Sequence, residues 1–261
     1  MKTVLMCHIE DELTVKGLSR WLASFSDLAG MVLIREPGSR TKQRIRAEVR
    51  RSGWLRFVFD VLPYRIYSKF FLTRLDRQWR AEKIEQLLQQ HPEAENFGEP
   101  LVCTSPNQDS VKHYLERIAP DLMLVRCKSL LNKSIFSIPR LGSFILHPGI
   151  CPEYRNSHGC FWALANGDFE KVGATLMMID AGIDTGTIFG YFSYPYDVRR
   201  ETPNVIQSRV VYDNLDVIRA KLIDIDNGIA KPILTGGRNS KMWGQPWLSE
   251  YLHIKRTARK G

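Results

Sequence analysis

Four short apolar runs constrain this chain more than anything else in it: KTVLMCHI (Lys2–Ile9), LAGMVLIRE (Leu28–Glu36), DLMLVRC (Asp121–Cys127) and SFILHP (Ser143–Pro148). They are nearly continuous rather than alternating, which is how strands covered on both faces read. Between the first two lies DELTVKGLSRWLASFSD, with Asp11 as a helix N-cap and Leu13, Leu18 and Leu22 near helical spacing. Strand, helix, strand within about 35 residues predicts the opening of a parallel α/β sheet. The rhythm resumes with the strand PLVCT, the helix NQDSVKHYLERI and the runs at 121 and 143. GCFWALANGD then predicts a short helix ending at Asn166-Gly167, and GATLMMIDAGIDTGTIFGYFSYP two strands joined by a turn at Ala181–Gly186. A helix from about Thr202 to Asp226 and an irregular tail follow.

The segment Pro37–Glu95 breaks this rhythm. Basic RTKQRIRAEVRR leads into GWLRFVFDVLPYRIYSKFFLTRLDRQWR and then AEKIEQLLQQ. It predicts two or three helices, interrupted near Gly53 and Pro63, inserted between sheet strands. The net charge of +9 resides here, because Arg35–Arg80 holds thirteen Lys/Arg against four Asp/Glu, 13 − 4 = +9, and leaves the remainder neutral overall. An electrostatic partner belongs to that segment.

The 261 residues, 44% of them hydrophobic, suffice for a large buried core. No apolar run approaches the ~20 residues that cross a bilayer, and the N-terminus lacks the features of a signal peptide. Five scattered cysteines fit reduced thiols. The expected location is the cytoplasm, with a peripheral membrane position open to the basic insertion.

ILHPGICPEYRNSHG (Ile145–Gly159) concentrates special geometry in a segment that can be neither helix nor continuous strand. His147-Pro148, Pro152, Tyr154-Arg155, Trp162-Ala163, Asn166-Gly167-Asp168, Gly173, Thr175 and DAGIDTG (Asp180–Gly186) form an ordered series. It resembles the formyltransferase family that uses 10-formyl-tetrahydrofolate, whose members formylate glycinamide ribonucleotide, methionyl-tRNA and amino sugars. HPGICPEYRNSHGCFWAL is particularly similar to members associated with surface-polysaccharide genes. The resemblance is dense over Ile145–Gly190 and weaker from Lys2 to Pro195.

The resemblance implies a Rossmann-like α/β fold with a mostly parallel twisted sheet and a helical insertion at about 37–95. It implies a catalytic domain over 1–200, with 201–261 as a C-terminal helix and tail packed on it. It makes His147 the general acid/base and oxyanion donor, and Asp184 its orienter and proton relay. The formyl-folate donor is expected beside Val125, Arg126, Cys127, Gly149, Ile150 and Asp180, near the strand ends where open α/β sheets bind ligands. Tyr154, Arg155, Asn156 and His158 are expected on the acceptor side, the acceptor being a small-molecule amine. Transfer RNA is not expected, since too few residues follow Asp226 for the extra barrel domain of those enzymes. A homodimer is left open.

One position departs from the family. An Asn two residues before the catalytic His is replaced by Ile145, which donates nothing. One lost oxyanion donor costs ~2.7–4 kcal/mol of barrier. Asn156 and Ser157 replace the family's usual residues after Tyr154-Arg155, which makes an amide near the pocket the candidate replacement. The alternative is a formyltransferase-fold protein with lost or altered catalysis, acting as a binding or regulatory partner.

Two further readings compete. His147, Cys151, His158 and Cys160 are zinc-type ligands, but their spacing is no recognised ligand pattern and the expected metal content is none. The insertion can be a solvated face with an apolar underside. It can also lie on acidic lipid with Trp54, Phe57, Phe59, Tyr64, Tyr67, Phe70 and Phe71 inserted, or bind the phosphates of a sugar nucleotide or RNA.

Overall fold

A computed structural model describes residues 1–92 and 99–260. Glu93 and Glu95, at the end of the predicted insertion, lie outside the described residues.

The apolar runs form one seven-stranded sheet of order β3-β2-β1-β4-β5-β7-β8. Its strands are β1 (Lys2–His8), β2 (Asp27–Ile34), β3 (Leu101–Cys103), β4 (Leu122–Arg126), β5 (Gly142–His147), β7 (Ala174–Met178) and β8 (Ile188–Phe192). β1 to β5 are parallel, while β7 and β8 run antiparallel to their neighbours. Two short segments, β6 (Arg155–Asn156) and β9 (Met242–Trp243), pair separately.

Both faces of the sheet are covered, as the continuous apolar runs require. Along β1 and β5, Leu5, Cys7, Phe144 and Leu146 enter the main core with Trp21, Leu22 and Phe161. Val4, Met6, Met123 and Val125 face the other way, onto the helix Asp109–Ile118. The sheet is wound outward from β1 in both directions, so the crevice beyond the C-terminal ends of β1 and β4 is the switch point where ligands bind such folds.

Several local expectations are corrected. The helix after β1 opens with a wide π turn, Leu13–Leu18, before Ser19–Ala23. Asp11 serves it by accepting from the Thr14 hydroxyl at 2.7 Å rather than from a backbone N–H. The helix expected over 202–226 is two, Pro203–Tyr212 and Leu215–Asp226; between them Asn214 departs from helical backbone at φ −115°, and its side-chain amide donates to the Ser193 and Val210 carbonyls. In the insertion, Gly53 breaks the chain at φ +80° after the helix Ser39–Ser52, as expected. Pro63 does not: residues 54–90 run on helically, and a π turn at Phe57–Val61 takes up the disturbance that proline causes. The tail is not irregular. It contains β9 and a helix, Leu248–Lys260.

The insertion docks through one side only. Val61, Tyr64, Leu72 and Leu87 are buried, and Tyr64 packs its ring 5.6 Å from both Phe161 and Tyr251. Asp76 accepts from the Thr202 hydroxyl and, at 2.8 Å, from the Asn204 amide, tying the insertion to the helix at 203. Tyr64 therefore belongs to the core, and Phe57 and Tyr67 are half-buried. The outward aromatics are Trp54, Phe59, Phe70 and Phe71.

Candidate active site

His147 is the last residue of β5 and is 4% exposed. Its Nε2 lies 2.8 Å from the Tyr154 carbonyl and its Nδ1 3.4 Å from Asp184 Oδ2. Both neighbours are acceptors, so one ring proton can serve only one of them at a time.

Each partner is held in turn. Asp184 sits at φ +51°, a conformation the tight DAGIDTG turn imposes. Its Oδ2 also accepts from the Asn156 backbone N–H at 2.7 Å. Asp180 is exposed and pins the turn by accepting from the Gly182 N–H at 2.9 Å and the Thr185 hydroxyl at 2.7 Å. At Gly186 a Cβ would strike the Met178 carbonyl. The loop after His147 is just as tight. A Cβ on Gly149 would lie 2.6 Å from the Tyr154 carbonyl and 2.8 Å from His147 Nε2, so glycine there allows the loop to close over the imidazole. Thr175, opposite His147 in the sheet, donates its hydroxyl to the Gly149 carbonyl at 2.6 Å and accepts from the Cys151 N–H at 3.1 Å.

The structure thus gathers His147, Gly149, Tyr154, Arg155, Asn156 and Asp184. It uses several of them differently from the expectation. Tyr154 is buried, its hydroxyl bonded to Asp168; burial and that carboxylate both push its pKa up. Arg155 donates to the Ile183 carbonyl at 3.3 Å, joining loop to turn, while its Nε is buried without a partner among the described residues. The Asn156 side-chain amide, the candidate replacement for the missing Asn, donates instead to the Trp243 carbonyl at 2.5 Å. His158 is half-buried at φ +56° in the loop's exit, with burial lowering its pKa to about 4.

Among the residues expected beside the formyl donor, Val125 is buried in the second core. Arg126 turns back to donate to the Leu146 carbonyl at 2.8 Å. Cys127 donates to the Ser129 carbonyl. Ile150 packs against Gly173. Their side chains serve the fold; just beyond β4 the Lys128 N–H donates to His8 Nε2 at 3.0 Å, and Leu130 is 61% exposed. The four zinc-type residues are otherwise engaged: Cys160 donates to the Gly173 carbonyl, and burial raises its thiol pKa to about 12 and that of Cys151 upward as well. Among the described residues no three His, Cys, Asp or Glu side chains group as metal ligands.

Ile145 shares the His147 face, as the two-residue period of a strand requires. It packs with Cys151, Met177 and Ile188, and Val125 is its partner on β4.

The sequence reading missed the strap that locks this loop. Arg238 donates to both oxygens of Glu153, at 2.9 and 2.6 Å, and to the Tyr191 hydroxyl at 2.6 Å. The Lys241 N–H reaches the Pro152 carbonyl, and the Trp243 indole donates to the Glu153 carbonyl at 2.9 Å. Trp243 stacks between Tyr154 and Trp162 with centroids 5.7 and 4.8 Å away. The signal available was two tryptophans, Trp243 and Trp247, in a stretch otherwise read as loose.

A family model described as Formyl transferase matches residues 77–217, more than half the chain, including His147, Asp184 and the loop between them but not the strap at 238–243. The chain belongs to the formyl transferase family. Among curated proteins, the methionyl-tRNA formyltransferase of Bacteroides thetaiotaomicron is 35% identical over 118 residues, 43% of this chain and 34% of that protein. That of Geotalea uraniireducens is 32% identical over 134 residues, 50% of this chain and 40% of its own. The matched part therefore spans about a third to two-fifths of these relatives. Among solved structures, a sugar N-formyltransferase from a Shewanella species superposes with TM-score 0.55 at 14% identity, covering 94% of this chain and 76% of that one. A phosphoribosylglycinamide formyltransferase from Anaplasma phagocytophilum gives 0.56 at 11%, covering 94% and 99%. These likenesses establish a shared fold.

Proposed function

We propose that this chain is an N-formyltransferase that moves a formyl group from 10-formyl-tetrahydrofolate to an amine of a sugar, sugar nucleotide or other small metabolite. The observation that carries the reading is the His147–Asp184 pair, 3.4 Å apart at the end of β5 and closed over by the Gly149–Asn156 loop. The crevice at the strand ends is where a sheet of this order would take the flat heterocycle of the donor, which supplies the formyl carbon. Transfer forms one C–N bond to the acceptor and breaks one to the donor. A proton must leave the acceptor nitrogen and another reach the donor nitrogen. To meet the charge that develops on the formyl oxygen, His147 would give up its Nε2 contact with the Tyr154 carbonyl, while Asp184 orients the ring from Nδ1 and passes the proton. The acceptor side falls to the neighbourhood of Arg155, Asn156 and His158. The basic segment 35–80 meets an acidic partner.

With Ile145 in place of an amide and the Asn156 amide committed to Trp243, His147 acts without that second side-chain donor. A rate below the family norm follows, by up to about 10²–10³. The test is calorimetric titration with a stable 10-formyl-folate analogue, followed by assay of a panel of amino sugars with wild type, His147→Ala and Ile145→Asn. Folate binding with turnover that His147→Ala abolishes supports the reading. Folate binding without turnover in any form leaves the fold as a binding module, the second reading, which Ile145 favours. No folate binding at millimolar concentration ends both.

A further inference from the structure

The helical stretch at 54–72 carries apolar residues on two sides, with Arg56, Asp60, Arg65 and Lys69 between them. One side enters the core through Val61, Tyr64 and Leu72. On the other, Leu55, Phe59, Leu62, Ile66 and Phe70 recur at intervals of four, three, four and four residues, the spacing that stacks side chains along one face. These five are 40–71% exposed, and Trp54 and Phe71 beside them are 63% and 66% exposed. Scattered exposed apolar residues are ordinary, but a continuous aromatic stripe of this kind marks a surface meant to be covered. Its edges are basic. Arg65, Lys69 and Arg74 are exposed and form no ion pair among the described residues. Arg44, Arg51 and Arg56 have carboxylate partners in Glu36, Glu48 and Asp60.

We propose that this face docks on an anionic lipid bilayer, with the Leu55–Phe70 stripe and its flanking aromatics entering the headgroup boundary and the Arg and Lys rim meeting lipid phosphates. Charge complementarity chooses this occupant. A second copy on the same face would bring two segments of net charge +9 together, a repulsive arrangement for a two-fold contact. Among the described residues no helix is long and apolar enough to cross a membrane, so the contact is one of lying on the surface. The docked face is joined to the site by short links. Arg56 stacks 4.1 Å over Trp247, the Ser249 N–H donates to Asp60 at 3.1 Å, and Gly244 abuts Arg51 in the same strap that holds the Glu153 loop.

Flotation of the full-length protein with vesicles of phosphatidylcholine containing 30 mol% phosphatidylglycerol, over a salt series, tests this. The expected result is flotation that falls steeply as salt rises, is at least tenfold weaker on pure phosphatidylcholine, and drops at least tenfold in Phe59→Ser/Phe70→Ser and in Arg65→Glu/Lys69→Glu. These positions are solvent-exposed, and circular dichroism checks that each variant is folded. Brominated lipid should quench wild-type fluorescence more than that of Trp54→Phe. Three results overturn the proposal: no flotation of folded wild type at low salt, flotation unchanged in both double variants, or a wild-type dimer in sedimentation velocity that Phe59→Ser/Phe70→Ser dissolves, which would give the face to a second copy.

Discussion

The loop after β5 and the helix at 54–72 both carry conspicuous side chains, and they use them in opposite ways. In the loop nearly every polar group has a partner inside the protein: His147 touches Tyr154 and Asp184, Asp184 touches Asn156, and Glu153 holds Arg238. In the helix the outer aromatics are largely exposed, with Phe71 stacked on Tyr67 at 4.9 Å. The loop is built to hold still, and its features are bound up with one another. A signal that is mutually bonded points to chemistry needing fixed geometry, whereas one left outward points to a partner.

The contrast can be broken most sharply at the pair itself. His147→Ala and Asp184→Ala should each lower formyl transfer by at least about 10² while the folded circular dichroism signal is kept. Near-normal turnover by either would remove the loop from the chemistry. Gly149→Ala comes next. Its Cβ meets the Tyr154 carbonyl and the imidazole at 2.6 and 2.8 Å, so the loop should shift and stability fall by about 1–3 kcal/mol, read by urea denaturation. Activity should drop with it.

The strap gives a smaller, pH-dependent effect. Burial works to raise the Glu153 carboxyl, but hydrogen bonds from Arg238 and Lys171 outweigh it and hold the folded pKa below the ordinary value. A depressed carboxyl lends stability above its unfolded pKa of about 4.3 and loses it as pH falls through the folded value. Melting temperature should therefore fall more steeply in wild type than in Glu153→Gln as pH drops below about 4.5. Parallel profiles would show that the ion pair contributes nothing. The smallest effect belongs to the other region: Phe59→Ser/Phe70→Ser should change unfolding free energy by less than about 0.5 kcal/mol per site. A larger loss would show that the stripe packs on its own chain.

What the sequence made legible follows the same division. His147, Asp184 and the bend between them were readable because each lies in a compact motif whose glycines allow it. The orientation of Ile145 was readable from the period of a strand. The use of Asn156 was not, because its acceptor, the Trp243 carbonyl, lies 87 residues away and no local pattern announces it. The same holds for Arg238 and Glu153, 85 positions apart. In the insertion, Gly53 marked a break because no side chain competes with its positive φ. Pro63 did not, since the π turn before it absorbs the ring. Which face of 54–72 turns inward could not be read from a helix with apolar residues on two sides. It is decided by Phe161 and Tyr251, contributed by distant helices.

The strap also sets an order in time. Its contacts reach the loop from 85 to 90 positions further along the chain. At about 5–20 residues per second of synthesis, that stretch takes roughly 4–18 s to follow. For those seconds a nascent chain can hold the β1–β5 sheet with the loop after His147 still unclamped. The clamped loop is therefore completed well after its own residues have been made.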